Sequence, residues 1–185
     1  DERAHAYDSP TASPVQTLTS RYEWGVDHVQ GREIFPATTD TGRKMTGTST
    51  FTLQLDPDNF GVMLRRTLDY AYPNQCAVVS VADDAEGATW REVGVWYTAG
   101  SNTCVYSNPR GELGATEHHV QTSNRRWRED EFLLPRQLTR GRERIRVRIT
   151  FTPRQIPLFP GYPLTETAWT EYRYDAYCFV MPREE

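Results

Sequence analysis

The segment from residue 144 to residue 151 alternates polar and apolar side chains without a break. Its apolar members are Ile145, Val147, Ile149 and Phe151, and its polar members are Arg144, Arg146, Arg148 and Thr150. Successive side chains of a β-strand point to opposite faces of the sheet, so this alternation predicts a strand with one face on a core and the other in water. A helix would divide the same apolar residues between two opposite sides.

Similar short segments follow one another along most of the chain. Residues 50–55 alternate in the same way, and Val62, Leu64 and Leu68 continue the pattern, with Arg66 interrupting it. Further segments with strand character are 77–81, 93–97, 119–127, 132–134 and 171–180, with 32–35 as a weaker one. Turn residues separate them, and no helical periodicity exceeds about two turns. These features predict an all-β fold, which we interpret as a jelly-roll-like antiparallel β-sandwich in a single domain.

The predicted sandwich domain covers residues 15–182. Residues 1–14 contain Pro10 and Pro14 and show no apolar period, so we interpret them as a flexible N-terminal tail. Residues 153–163 hold four prolines and are predicted to form a long irregular loop. A chain of 185 residues has the ordinary size of one domain and can bury a core without disulfides.

Charge and cysteine usage exclude several classes of protein. The formal net charge of −4 argues against a general nucleic-acid binder, and no apolar segment is long enough to span a membrane as a helix. The three cysteines, Cys76, Cys104 and Cys178, match neither a disulfide framework nor a zinc pattern. Thiol usage favours a cytoplasmic location, whereas the fold type slightly favours an extracellular or periplasmic one.

Neither hydrolytic acids nor metal ligands stand out from their spacing. Acidic residues are numerous, but no spacing selects a pair of carboxylates for glycoside hydrolysis. The neighbours His118 and His119 would point to opposite faces of a strand and would not chelate a metal together. We therefore expect no metal site and no cofactor. A structural calcium ion on Asp56, Asp58 and Asn59 is the alternative, although these residues also suit a plain turn.

Aromatic rings beside hydrogen-bonding side chains indicate two candidate sugar-binding surfaces. Ring faces stack on the C–H faces of a sugar, while carboxylates, imidazoles and guanidinium groups bind its hydroxyls. The first candidate combines Trp169 with Tyr162 beside the proline-rich loop, and we expect its rings to be exposed. The second candidate lies within residues 22–28 and consists of Glu23, Trp24, Asp27 and His28. The alternative interpretation is that these rings cap the open ends of the sandwich.

The outward row of the 144–151 segment is basic. Its arginines, Arg144, Arg146 and Arg148, would bind an anionic polymer if the row stayed open. The favoured interpretation is that they pair with acids of neighbouring strands, such as Glu171 or Asp175.

Two stretches carry a resemblance to a known family. Residues 55–70 read LDPDNFGVMLRRTLDY, and residues 127–149 contain the pattern W-x-x-D-x-F-x-x-P, then L-T-R-G, then I-x-V-x-I. Both resemble the C-terminal jelly-roll region of proteins similar to glycoside hydrolase family 172, which act on difructose anhydride and arabinan. The resemblance spans residues 45–180 and implies a jelly roll that assembles into oligomers. It assigns no catalytic glutamate in this chain.

The residues and the resemblance together predict a carbohydrate-binding β-sandwich module associated with a glycoside hydrolase. Its partner would be an oligo- or polysaccharide, with no nucleic acid and no membrane, and a homo-oligomer is compatible with this prediction. One alternative is a small glycoside hydrolase with an active site between subunits. The other is a structural jelly roll whose aromatic residues form a protein interface.

Overall fold

The structure is a computed structural model, in which residues 1–19, 28–29, 32–33, 38–85, 88–100, 103–107, 117–121, 127–153 and 166–182 are described. Only the backbone is described for 28–29, 32–33, 103–107 and 117–121. Nearly all regular structure is β. The strands are β1 (Gln16–Thr19), β2 (His28–Val29), β3 (Arg32–Glu33), β4 (Thr39–Met45), β5 (Thr48–Gln54), β6 (Gly61–Asp69), β7 (Gln75–Asp83), β8 (Arg91–Thr98), β9 (Thr103–Ser107), β10 (Glu117–Gln121), β11 (Trp127–Pro135), β12 (Arg144–Phe151), β13 (Trp169–Glu171) and β14 (Arg173–Cys178), and a short helix, α1 (Arg136–Thr139), precedes β12.

Two antiparallel sheets face each other across the core. The first sheet has the strand order β5-β12-β7-β8, and the second has the order β11-β6-β14. A third sheet, β1-β4-β13, lies beside them, and β2 pairs with β3 and β9 with β10. All of these pairings are antiparallel. The predicted fold class, an all-β antiparallel sandwich, is confirmed.

The 144–151 segment forms a strand inside the first sheet, as its alternation predicts. β12 lies between β5 and β7, and Ile145, Val147 and Ile149 are at most 1% exposed. Val147 stands in register with Phe51 on one side and Val81 on the other, so each core row crosses three strands. Burial of apolar surface at about 25 cal/mol per Å² is the main force that closes the two sheets on each other.

Aromatic rings connect the two sheets. Trp96 of β8 stacks on Phe132 of β11 with ring centres 5.4 Å apart. Phe51 of β5 stacks on Tyr174 of β14 at 4.7 Å. Such pairs add about 0.5–1.5 kcal/mol each beyond the burial of their area. The core is therefore pinned by rings at both lateral edges of the sandwich.

Several strand boundaries differ from the expectation. The described residues of the predicted strand 119–127 belong to β10, up to Gln121, and to β11, from Trp127, and residues 122–126 lie outside the described part of the chain. The predicted strand 171–180 is divided between β13 and β14 by a bend at Tyr172. β4 was not predicted, since its sequence TDTGRKM has little apolar alternation. β4 is a strand because it pairs with β1 and β13, although its own composition does not favour one.

Residues 1–14, which the sequence predicts to be a flexible N-terminal tail, contact the first sheet. Asp8 forms a bridge with Thr50, and the N–H of Thr52 donates to the carbonyl of His5 at 2.7 Å. The physical reason is that β5 is the last strand of its sheet. Its outer N–H and C=O groups need partners, and this segment supplies them.

The turn at Asp56 is held by its own hydrogen bonds. The Asp56 carboxylate accepts from the N–H of Asp58 at 2.9 Å, and Asn59 accepts from the Thr139 hydroxyl at 2.6 Å. Cys76 is a buried free thiol and Cys178 a partly buried one, as their apolar surroundings predict. In the described part of the chain, no helix has the length and hydropathy needed to cross a membrane.

Candidate functional site

A cleft of about 520 Å³ opens between the edge strands of the two main sheets, β5 and β14. The N-terminal segment forms one of its walls, because Asp1, Glu2 and His5 line it. Phenol rings and charged groups dominate the rest of the lining. We call this site the tyrosine cleft and define it by Tyr7, Tyr172, Tyr174, Tyr177, Arg43 and Glu171.

The Glu171 carboxylate forms the floor of the cleft and is almost completely buried, with 6% of the residue exposed. Tyr7 donates its hydroxyl to Oε2 at 2.6 Å, and Ser49 and Tyr174 donate theirs to Oε1 at 2.6 and 2.8 Å. Burial removes the water that would otherwise solvate a carboxylate, so such donors are needed. The N-terminal segment, β5 and β14 are thereby fixed around one acceptor.

The two phenols beside Glu171 remain protonated over the ordinary pH range. Burial raises the pKa of Tyr174 well above its ordinary value of 10.0, and the nearby Glu171 charge raises it further. Burial also raises the pKa of Tyr7, again with Glu171 as the second cause. Because both groups keep their protons, both act as donors to the carboxylate.

Charged side chains at the mouth of the cleft form pairs with one another. Arg43 donates to Glu2, and its guanidinium lies 4.9 Å from the centre of the Tyr7 ring. Arg173 donates to Asp175 at 2.8 Å. The Arg173–Asp175 pair is solvent-accessible, and exposed pairs contribute only about 0–1 kcal/mol, so a ligand can exchange with it at little cost. The mouth therefore offers both donors and acceptors.

Two further rings shape the cleft. Tyr177 on β14 is 46% exposed, and the Arg65 guanidinium lies 4.9 Å from its ring centre. Tyr172 packs against Trp127 with ring centres 4.8 Å apart. Gly42 makes room for this ring, because a Cβ at residue 42 would lie 2.4 Å from Cγ of Tyr172. Glycine at this position is thus a condition for the observed place of Tyr172.

Trp169, expected to be an exposed sugar-stacking ring, lies in the core. It has 0% exposure, and the Trp96 ring meets it edge-on at 5.5 Å. The expectation of exposure is wrong because β13 begins at this residue and directs its side chain between the sheets. Trp169 acts on the cleft only from behind, where its indole N–H donates to the Tyr174 hydroxyl at 2.8 Å.

The Trp169 ring covers a cation that is completely buried. Arg66, which interrupts the apolar pattern of β6, has 0% exposure and its guanidinium lies 3.3 Å from the centre of the Trp169 ring. It donates to both oxygens of Asp130, at 3.1 and 2.7 Å, and to Gln75 at 3.1 Å and Thr98 at 3.3 Å. These five residues, Arg66, Asp130, Gln75, Thr98 and Trp169, are called the Arg66 centre below.

The basic row of β12 is partnered differently from the expectation. Arg144 pairs with Asp84 at 3.0 Å rather than with Glu171 or Asp175. Glu171 lies inside the sandwich and Asp175 pairs with Arg173, so neither reaches β12.

The guanidinium groups of Arg148 and Arg146 lie 3.8 and 5.2 Å from the centre of the Trp90 ring. No ion pair joins either arginine to an acid among the residues that the structure describes. The pairing prediction therefore holds for Arg144 with a different partner, and it is wrong for the other two arginines within that part of the chain.

The remaining predicted sugar-binding residues are either outside the described residues or described by their backbone alone. Glu23, Trp24, Asp27 and Tyr162 lie outside the described residues, and so does the proline-rich loop at 154–163. His28 belongs to β2 in register with Glu33, with its backbone alone described. For these residues a sugar-binding role stays a prediction.

The sequence indicated some residues of the cleft, but it did not indicate that they lie close together. The sequence named Glu171 only as an acid that could pair with the arginine row, and Tyr174 only as part of a predicted strand. Tyr7 carried no signal because it lies in a segment without apolar period. Tyr7 could have been found only by knowing that residues near the N-terminus pack against an edge strand.

Comparison with known proteins does not identify a family. No family model matches the sequence, and no curated protein matches it. Among solved structures, the chain is similar to the enzymatically active domain of tailspike protein 4 from bacteriophage CBA120, with a TM-score of 0.37 and 10% identity. The match covers 94% of this chain and 19% of that one, so the chain spans about a fifth of its length. A likeness of this size carries no argument about function.

Proposed function

We propose that the chain is a carbohydrate-binding β-sandwich module and that the tyrosine cleft is its ligand site. The observation that carries this proposal is the combination of phenol rings with a fixed, buried carboxylate in one concave site. Ligand sites are concave and combine apolar ring surface with a few placed polar groups. A sugar presents the matching surface, with C–H faces for rings and hydroxyls for hydrogen bonds.

The pairing of the cleft's acids supports binding rather than hydrolysis. A glycosidase needs one carboxyl group that gives up a proton and another that attacks or activates water. Both oxygens of Glu171 already accept hydroxyl bonds, and Asp175 is paired with Arg173. These contacts suit residues that orient a ligand, since each acid would first have to lose a partner to enter a reaction.

Binding of arabinan and fructan oligosaccharides, measured by isothermal titration calorimetry, tests the proposal. The two glycans come from the resemblance to glycoside hydrolase family 172-like proteins. Tyr177→Ala removes an exposed ring of the cleft and is expected to weaken binding by about tenfold, the loss typical of an aromatic contact residue. Tyr97→Ala is the matched control, because Tyr97 is 40% exposed on β8, outside the cleft.

Two results would contradict the proposal. The first is the absence of binding to both glycans and to a wider glycan array. The second is an equal loss of binding in the Tyr97→Ala and Tyr177→Ala variants. Release of reducing sugar from either glycan, abolished by Glu171→Gln, would instead establish the hydrolase alternative.

A further inference from the structure

A second surface carries positive charge that the described residues do not neutralise. Arg146 and Arg148 stand two residues apart on β12, on the outward face of the first sheet, where alternate side chains lie about 7 Å apart. The guanidinium groups extend beyond their neighbours in register, which all have short side chains. These neighbours are Thr50, Thr52, Ser80 and Ala82.

The acids near this face are engaged or distant. Asp84 lines a shallow cleft of about 260 Å³ together with Arg146, but its carboxylate pairs with Arg144 at 3.0 Å. Glu92 on β8 is separated from Arg148 by Ser80 of the intervening strand β7, and Asp8 is separated from it by Thr50 of the intervening strand β5. Within the part of the chain that the structure describes, no carboxylate forms an ion pair with Arg146 or Arg148.

Trp90 holds the two arginines in place. Both guanidinium groups lie over its ring, at 3.8 Å for Arg148 and 5.2 Å for Arg146. Stacking orders the planar groups while leaving their N–H donors free for a ligand, which a lysine could not do. Partial burial lowers the pKa of Arg148, and repulsion from Arg146 lowers it further. An anion placed between the two groups would relieve this repulsion.

We propose that Arg146, Arg148 and Trp90 form a second binding site, which takes the carboxylate groups of an acidic polysaccharide. The positive charge of the site is independent of the tyrosine cleft, whereas the choice of a saccharide rests on the function proposed for that cleft. Forked guanidinium groups bind planar oxyanions through paired hydrogen bonds. The net charge of −4 provides no long-range attraction for any polyanion, so binding here would depend on the local pair of guanidinium groups.

Affinity electrophoresis of the full chain in gels that contain polygalacturonate tests the site. The Arg148→Gln change and the double change Arg146→Gln with Arg148→Gln are compared with Arg65→Gln. Arg65→Gln is the matched control, because this substitution removes the same charge from the outward face of the other sheet. There, Arg65 pairs with Glu131 at 2.7 Å. The double variant is expected to bind at least about tenfold more weakly, and Arg65→Gln is expected to bind like the unaltered protein.

Two more arms separate this site from the cleft and from other polyanions. Tyr177→Ala should leave polygalacturonate binding unchanged, whereas the arginine variants should leave arabinan and fructan binding unchanged. Arg148→Lys keeps the charge and the fold but loses the planar stack, so it should show an intermediate loss. Thermal unfolding of every variant confirms that the loss is not one of folding.

Three outcomes would overturn the site. They are the absence of polygalacturonate binding at low salt, an equal loss in Arg65→Gln, and tighter binding to single-stranded DNA of the same charge. If neutral glycans fail to bind while polygalacturonate binding depends on Arg146 and Arg148, the cleft proposal fails and the second site stands.

Discussion

The protein places arginine against tryptophan in two regions with opposite surroundings. In the Arg66 centre, the guanidinium lies 3.3 Å from the Trp169 ring centre and is saturated by Asp130, Gln75 and Thr98. On the outward face of the first sheet, Arg148 lies 3.8 Å from the Trp90 ring centre without an acid partner among the described residues.

The difference between the regions is the presence of an acid, not the stacking. Stacking on an aromatic ring contributes about 0.5–2 kcal/mol in either place, which is too little to bury an unpaired cation. A buried arginine therefore requires its carboxylate, and a surface arginine does not. Arg66 with its carboxylate therefore stabilises the fold, whereas Arg148 remains available to a ligand.

The largest expected effect is that of removing the acid from the buried site. Asp130→Ala leaves Arg66 without its bidentate partner inside the sandwich, and we expect a loss of about 3–5 kcal/mol in the free energy of unfolding. Asp84→Ala removes the partner of Arg144 at the surface and should cost less than about 1 kcal/mol. Urea denaturation measures both. Equal costs would remove the distinction between the two regions.

The second largest effect is the difference in stability between substitutions of the two tryptophans. Trp169→Phe removes the indole N–H that donates to Tyr174 and leaves space in the core, so we expect a loss of about 2 kcal/mol. Trp90→Phe keeps an aromatic face beneath its arginines at a partly exposed site and should change stability by about 0.5 kcal/mol. Thermal and urea unfolding of both variants would check this. A larger effect at Trp90 would mean that the outer face is part of the folding core.

Alkaline pH should affect the interior and spare the arginine face. The pKa of Tyr7 is raised in the folded state, so the protonated phenol stabilises the fold fully below pH 10 and this contribution is lost as the pH rises further. Tyr7 is partly exposed, and solvent screening keeps the expected decline below about 1 kcal/mol per pH unit.

Tyr7→Phe should therefore reduce the alkaline decline in unfolding free energy, measured between about pH 9 and about pH 11. Arg148→Gln should retain the slope of the unaltered protein. A Tyr7→Phe variant with an unchanged slope would show that this phenol is not coupled to Glu171 as the structure indicates.

The smallest effect belongs to the outer arginine itself. Arg148→Gln removes a charge that has a like-charged neighbour and no described acid, so the free energy of unfolding should change by no more than about 0.5 kcal/mol. Differential scanning calorimetry at two salt concentrations would measure it. A loss as large as that of Asp130→Ala would contradict the view that Arg148 is free for a ligand.

Local periodicity was sufficient to predict the strands of the two main sheets, but it predicted neither β4 nor the polar interior. The alternation of Ile145, Val147 and Ile149 with polar residues can be read from one short segment, and these three residues are buried as it predicts. Arg66 looked like a flaw in β6 because its partner Asp130 is 64 residues away on β11, with which β6 pairs. Such a pairing depends on which strands become neighbours, and that information is not local.

The candidate site was harder to predict for the same reason. Trp169 was assigned to the surface from its place after a proline-rich segment, although the neighbouring β4 strand draws it into the sandwich. Tyr7 reaches Glu171 across 164 residues of sequence. The cleft is created by the way two sheet edges and the first residues of the chain come together, and none of these relations has a periodic signature.

The position of the N-terminal segment has a practical consequence for anyone who handles this protein. Asp1 and Glu2 line the mouth of the tyrosine cleft, and Tyr7 reaches its floor. Removal of the residues before Ser13 would strip the cleft of one wall and take away the Tyr7 hydroxyl that donates to Glu171. Ligand screens are therefore best run with residues 1–12 retained.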